Sequence, residues 1–317
     1  MSSYPWEPDR LLTLEGARSA INTCFPEIDT RGLAHIGSGW EFDAYLTSDD
    51  WVFRFPRRAY CADFFEPEAH VHRLVSEYLP STIAVPRVQL IGQPTKEFPY
   101  RFAGHRFIPG IAADGLDTRL LPALARDIGA AFGALHSIPE QAARAGGVAE
   151  MPMDDLGQKE WFDRGLVLAA ELRGLDPVVD AAVHWMGELT LPLHPYDGPL
   201  HVIHHDMGPD HLIVDPGTGR LVGIIDWTDA ILGDPARDFA VLVTSLGWDF
   251  TEAALGSYPL AVDRGFRERL RFLARLLSVM WLAEAHEQRA DVVKHVDWVR
   301  NACATDNATT YAARNQT

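Results

Sequence analysis

Val202-Ile203-His204-His205-Asp206-Met207-Gly208-Pro209-Asp210-His211-Leu212-Ile213-Val214-Asp215 leads through Pro216-Gly217-Thr218-Gly219 into Leu221-Val222-Gly223-Ile224-Ile225, and that run delivers Asp226-Trp227. An apolar strand enters a polar loop carrying one carboxylate. A strand, a Gly-rich turn and another strand then end on a second carboxylate. This places Asp206, His211 and Asp226 at the mouth of one hairpin, as a small anionic group suited to a metal. Phosphoryl transfer needs such parts: a residue to orient an attacking hydroxyl, and ligands for a magnesium ion bridging phosphates. Taken alone, a loop Asp such as Asp206 more often caps a turn.

Outward from that stretch, 317 residues suffice for one large core or, as expected here, two lobes. A hydrophobic fraction of 47% and a charged fraction of 23% are ordinary for a globular chain. The formal net charge of -16 argues against nucleic acid as a partner, which would require a basic surface. It permits a cationic small molecule, and it also has the simpler reading of solubility. Cys24, Cys61 and Cys303 are odd in number, far apart and in no metal spacing, so they are expected to be thiols of a reducing compartment. The start of the chain lacks a signal-peptide pattern, and no stretch has the roughly 18 apolar residues of a membrane span. A cytoplasmic protein without a membrane partner is expected; monomer or homodimer stays open. The only lysines, Lys96, Lys159 and Lys294, are followed by Glu or His, so the chain has no Gly-Lys-Ser/Thr phosphate loop.

In chain order, Leu11 to Phe25 has helical spacing. The runs Leu33 to Leu46 and Trp51 to Pro56 then read as a hairpin carrying Gly37-Ser38-Gly39, glycines that either make a turn or let backbone approach a ligand. Alternation puts Val52, Arg54 and Pro56 on one strand face and Trp51, Phe53 and Phe55 on the other. Arg54 is either an edge cation in a salt bridge or a phosphate-binding group. Glu66-Pro67-Glu68 opens a helix through Leu79. Val85 to Gly92 and Tyr100 to Ile108 read as strands, and Pro109-Gly110 ends the strand-rich part. Helices are expected over Arg119 to Ile138, Trp161 to Leu172, Pro177 to Leu189 and Arg264 to Gln288, with Pro192, Pro195 and Pro199 in a loop and a frayed tail after Asn301. Strands first and helices after give the expected domains: a nucleotide-binding lobe over 1–107 and a catalytic and substrate-binding lobe over 108–317.

His204-His205-Asp206 with His211 five positions on, Ile225-Asp226-Trp227, and Gly233-Asp234-Pro235-Ala236-Arg237-Asp238 together resemble the aminoglycoside and macrolide phosphotransferases, small-molecule relatives of protein kinases. The likeness takes in Gly37-Ser38-Gly39, Val52 to Arg58, Glu66-Pro67-Glu68-Ala69 and Leu135-His136-Ser137-Ile138-Pro139, and spans roughly Ile36 to Val241. It implies an α+β, two-lobe protein-kinase-like fold, with a small β-rich N-lobe and a larger, mostly helical C-lobe.

Carried onto this chain, the resemblance implies that Asp206 orients the acceptor hydroxyl and accepts its proton. Asp226 and His211 would serve Mg2+, and Asp238 would brace the catalytic loop. His211 stands where the family pattern often has Asn. Imidazole is a poorer magnesium ligand than an amide oxygen, so an outer-shell role or a hydrogen bond within the loop stays open. Arg54 stands where many kinases have a lysine, with Glu68 as its helix partner. Gly37, Ser38, Gly39, Arg54, Glu68, Arg106, Ile108 and Ile225 are the implied nucleotide-binding positions, the base meeting backbone near His105 to Ile108. The donor, ATP or GTP, is left open.

Among acids of the helical lobe, Asp229 and Glu284 are the candidate substrate contacts, with Glu287 and Asp297 as further choices. Met280, Trp281 and Trp298 are either an apolar floor or core. The expected function is transfer of the γ-phosphoryl to a hydroxyl of an aminoglycoside first and a macrolide next. The alternatives are a metabolic small-molecule kinase and an inactive kinase-like nucleotide-binding protein.

Overall fold

The structure, a computed structural model, describes residues 7–151, 158–188 and 195–304. Its contacts divide the chain into two units, Met1–Glu77 with Ala84–Pro109, and Tyr78–Ile83 with Gly110–Thr317.

In the first unit, α1 (Leu14–Cys24) is capped by the Thr13 hydroxyl on the Gly16 amide. β1 (Ala34–Ser38), β2 (Phe42–Leu46) and β3 (Trp51–Pro56) follow, then α2 (Phe65–Tyr78), β4 (Leu90–Gly92) and β5 (Phe102–Arg106). The strands form one antiparallel sheet in the order β1-β2-β3-β5-β4. The expected two-strand hairpin is therefore a three-strand meander, because the run Leu33 to Leu46 turns at Gly39, whose amide donates to the Phe42 carbonyl. Alternation along β3 is as expected. Phe53 and Phe55 pack with Ala17, Ala20 and Ile21 of α1, Tyr45, Phe98 and Phe102. Phe42, Cys61, Phe65 and Ala103 form a separate cluster. Each large side chain so buried contributes about 1.5–3 kcal/mol.

The second unit holds β6 (Ile111–Ala112), α3 (Leu121–His136), α4 (Glu140–Ala145), β7 (Ala149–Glu150), α5 (Gln158–Ala169), α6 (Pro177–Glu188), β8 (His201–Ile203), β9 (Leu212–Val214), β10 (Leu221–Ile224), β11 (Ile231–Gly233), α7 (Ala236–Leu246), α8 (Trp248–Leu255), α9 (Phe266–Glu287) and α10 (Val293–Cys303). Two small sheets, β10-β9-β6 and β7-β11-β8, carry the connecting loops. The apolar stripe of α3 buries Leu124, Ile128, Phe132 and Leu135. A Cβ on Gly129 would stand 2.1 Å from the Ala254 carbonyl oxygen and one on Gly133 2.3 Å from Pro259, so α3 approaches α8 and its following turn through bare backbone. The tail is expected to fray after Asn301, yet α10 continues through Ala302 and Cys303, and the Asn301 side-chain amide donates to the Thr244 carbonyl of α7. Leu189, Pro192 and the tail beyond Ala304 lie outside the described residues. Met280 is core, while Trp281 and Trp298 are half-buried and meet edge to face at 5.4 Å. Among the described residues, no helix is long and apolar enough to cross a membrane.

Candidate active site

β8 delivers the chain to Asp206, and β10 delivers it to Asp226. Neither loop follows an ordinary path. His205 has φ 75° and Asp226 has φ 61°, left-handed conformations that cost a non-glycine residue about 1 kcal/mol or more. Both persist because buried partners hold them. The carboxylate of Asp238, at the start of α7 and fully buried, accepts from the His204 amide at 3.0 Å and the His205 amide at 2.8 Å. His136 of α3 approaches the same carboxylate through Nε2 at 3.1 Å, and its Nδ1 meets the Tyr258 hydroxyl at 2.9 Å. The buried ring of His204 meets Trp227 at a tilt, ring centres 4.7 Å apart, and its Nε2 lies 3.0 Å from the Ile225 carbonyl oxygen. His204 thus ties the loop of Asp206 to the residue preceding Asp226. The hydroxyl of Thr228 holds Asp226 Oδ1 at 3.1 Å.

His211 closes the group. Its Nδ1 lies 2.6 Å from the Asp206 carbonyl oxygen and 3.7 Å from that residue's Oδ2, and its Nε2 lies 3.7 Å from Asp226 Oδ2. Burial opposes charge on this ring, but Asp206, Asp210 and Asp226 outweigh it and push the pKa up to about 8. The carboxyl of Asp229 keeps some exposed surface, yet crowding by protein, then Asp206 and Asp226, push it up to about 6. His205 shows the reverse: burial, then the nearby Arg237, lower it to about 3, so the ring is neutral. Asp226 offers hard carboxylate oxygens. Among the described residues, no three His, Cys, Asp or Glu side chains converge to hold a metal ion by themselves. A magnesium ion at Asp226 would therefore take most ligands from phosphate and water, its usual habit.

In the first unit, Arg54 lies on the central strand β3 and is buried, so it is no edge cation. Its Nη1 donates to both carboxylate oxygens of Glu68, at 2.6 and 2.7 Å, and its guanidinium lies 4.2 Å from the Phe42 ring centre. His105 is lowered to about 4 by burial, with the nearby Arg54 adding to the effect. In the pairing of β2 with β3, Arg54 stands opposite Ala44, and Ser38 of β1 stands opposite Asp43. Adjacent residues of a strand point to opposite faces, so the Ser38 hydroxyl lies on the face away from Arg54. There it donates to Asp43 at 2.6 Å and meets His35 at 3.1 Å. Neither Gly37 nor Gly39 has positive φ. A Cβ at Gly37 would meet no protein atom within 4 Å, and one at Gly39 only the Phe42 carbonyl oxygen at 3.8 Å. Packing and turn geometry give the fold no need for glycine at either place.

Of the remaining candidates, Arg106 donates to the Asp49 carbonyl and lies over Trp51 at 4.0 Å, at the exposed end of β5. Ile108 is half-buried in the chain segment after it. The Ile225 amide donates to the His211 carbonyl, so this residue belongs to the carboxylate group. Glu284 is half-buried near the end of α9, on a different element from the carboxylate loops. His136, Arg237 and the bridging ring of His204 escaped prediction as individual site residues. All three had a signal: each sits inside a motif that the sequence already singles out.

The model of the phosphotransferase enzyme family matches residues 32–277. The chain belongs to this family. Hygromycin-B 4-O-kinase of Escherichia coli is 25% identical over 187 residues, 57% of this chain and 52% of the relative. The matched stretches span from 24% to 52% of the length of the curated relatives, about half at most. The GDP and kanamycin complex of APH(2")-IIia superposes with a TM-score of 0.70 at 22% identity, covering 92% of this chain and 98% of that one. A macrolide 2'-phosphotransferase type I superposes with a TM-score of 0.63 at 20% identity, covering 93% and 99%. This phosphotransferase-family chain therefore has the protein-kinase-like fold, α+β with a small antiparallel sheet and a larger helical part.

Proposed function

We propose that this phosphotransferase-family protein moves the γ-phosphoryl of ATP or GTP to a hydroxyl of a small molecule, an aminoglycoside first and a macrolide second. The observation that carries the reading is the braced pair of carboxylate loops: Asp206 and Asp226 flank His211 at 3.7 Å each, on backbone that Asp238 and His204 hold in place. Asp206 would orient the acceptor hydroxyl and take its proton, a role open to a carboxylate at the mouth of a loop. Asp226 would hold Mg2+ with His211 beside it, and the bound ion would supply neutralisation of charge on the phosphates. Arg54, fixed by Glu68, would contribute positive charge to phosphate, and Gly37 and Gly39 would let backbone amides reach it. Backbone groups near Arg106 and Ile108 would meet the base. No covalent enzyme intermediate is needed, because positioning and charge stabilisation suffice.

Asp229 is the better placed of the two proposed substrate contacts, since the carboxylates that raise its pKa are those of the reacting group. An aminoglycoside ammonium would suit it through charge-assisted hydrogen bonds. Similarity to a structure holding GDP with kanamycin supports the order of acceptors and makes GTP a donor to test beside ATP. The test is a matrix of ATP and GTP against aminoglycosides, macrolides and simple alcohols, read as release of ADP or GDP. Acceptor-dependent release with at least one antibiotic is expected. Tight nucleotide binding without acceptor-dependent release in any cell would instead identify a binding protein.

A further inference from the structure

Arg57 and Arg58, at the exit of β3, are left over when Arg54 is assigned to phosphate. Both hold the turn that follows Gly39. The Arg57 amide donates to the Glu41 carbonyl at 2.8 Å. The Arg57 guanidinium lies 3.5 Å from Asp43 Oδ1, the oxygen that also accepts from Ser38. The Arg58 side chain is buried; its Nη2 donates to the Trp40 carbonyl at 2.9 Å, and its guanidinium lies 5.7 Å from the Trp40 ring centre and 5.2 Å from that of Tyr60. The glycines themselves give the turn no packing: Gly37 has no protein atom within reach of an added Cβ. A loop of this kind keeps one shape only if its flanks are held, since glycine backbone loses more freedom on ordering than any other.

We propose that Arg58 is a positioning residue for the glycine-rich loop, fixing it through the Trp40 carbonyl so that the Gly37–Gly39 amides are arranged before a phosphate arrives. This rests on the reading of that loop as phosphate-binding. A buried guanidinium is suited to the task because its planar fork donates in a fixed direction while its faces rest on aromatic rings, which a lysine ammonium cannot reproduce. Arg58→Met should raise the nucleotide KM about tenfold, the size of effect expected from a charge-assisted hydrogen bond such as that to Trp40, while kcat at saturation changes little. Arg58→Lys should recover only part of the loss.

A second measurement needs no turnover. In the nucleotide-free protein, amide hydrogen exchange over residues 36–42 should quicken in Arg58→Met, with exchange over 201–214 and the melting temperature of the second unit unchanged. Wild-type exchange over 36–42 in the variant, or an unchanged KM, would overturn the proposal. Failure of the wild-type protein to bind any purine nucleotide would overturn the reading of the loop, and the exchange result would still judge the role of Arg58.

Discussion

Arg54 and Glu68 keep 11% and 1% of their side-chain surface exposed and are matched to each other, whereas Asp206 and Asp226 keep 42% and 37%, and left-handed backbone falls at His205, just before the first, and at Asp226 itself. The first centre holds its charge by pairing it. The second leaves its charge available and spends the buried groups of its surroundings, Asp238, His136 and His204, on holding the backbone. Removing a member of the buried pair should therefore be felt as stability and binding, and removing an open carboxylate as turnover.

The largest effect expected from this contrast is on catalysis. Asp206→Ala should lower kcat by about 10³-fold, within the range for a lost general base, while the nucleotide dissociation constant stays within a few-fold of wild type. Near-normal kcat would remove Asp206 from the reaction. Next comes Glu68→Gln, which leaves the Arg54 charge buried without its carboxylate. It should destabilise the first unit by about 3 kcal/mol in denaturant unfolding, with nucleotide affinity falling in parallel. A variant as stable as wild type would mean that the pair is not a strong one.

The smallest effect is on protons and separates the two centres within one residue type. In the nucleotide-free, metal-free protein, NMR titration should find the His105 ring still neutral at pH 5 and the His211 ring still largely charged at pH 7. The signs follow from the surroundings. His105, depressed to about 4 by burial, contributes stability that is present above about 6.5 and lost as pH falls through 4. His211, raised to about 8, contributes stability that is full below about 6.5 and lost as pH rises through 8. Equal midpoints near the ordinary histidine value would erase the contrast.

Much of this was legible in the chain. The spacing of Asp206, His211 and Asp226 brought the three side chains together, and period-2 alternation placed Arg54 opposite the Phe53 and Phe55 face. Three kinds of feature were not legible. Strands of two or three residues such as β6, β7 and β11 are too short to show a period, so these members of the two small sheets left no trace, while β8, β9 and β10 read as strands. Positive φ at His205 and Asp226 is invisible because neither is glycine; tertiary hydrogen bonds impose it. The hydroxyl of Ser38 belongs to the face opposite Arg54, because the bulge between His35 and Gly37 resets which residues of β1 face which side. A motif spaced Gly-Ser-Gly does not record that.

Direct transfer from nucleotide to acceptor is the central claim, and a single-turnover reaction with terminally labelled nucleotide tests it. Enzyme in excess is mixed with labelled ATP or GTP and an accepted aminoglycoside or macrolide, and the label is followed among acceptor, water and protein. The account predicts that the label appears as a phosphate monoester on the acceptor hydroxyl, with none on the protein at any time. Label found first on a protein side chain, or only as inorganic phosphate, would contradict it.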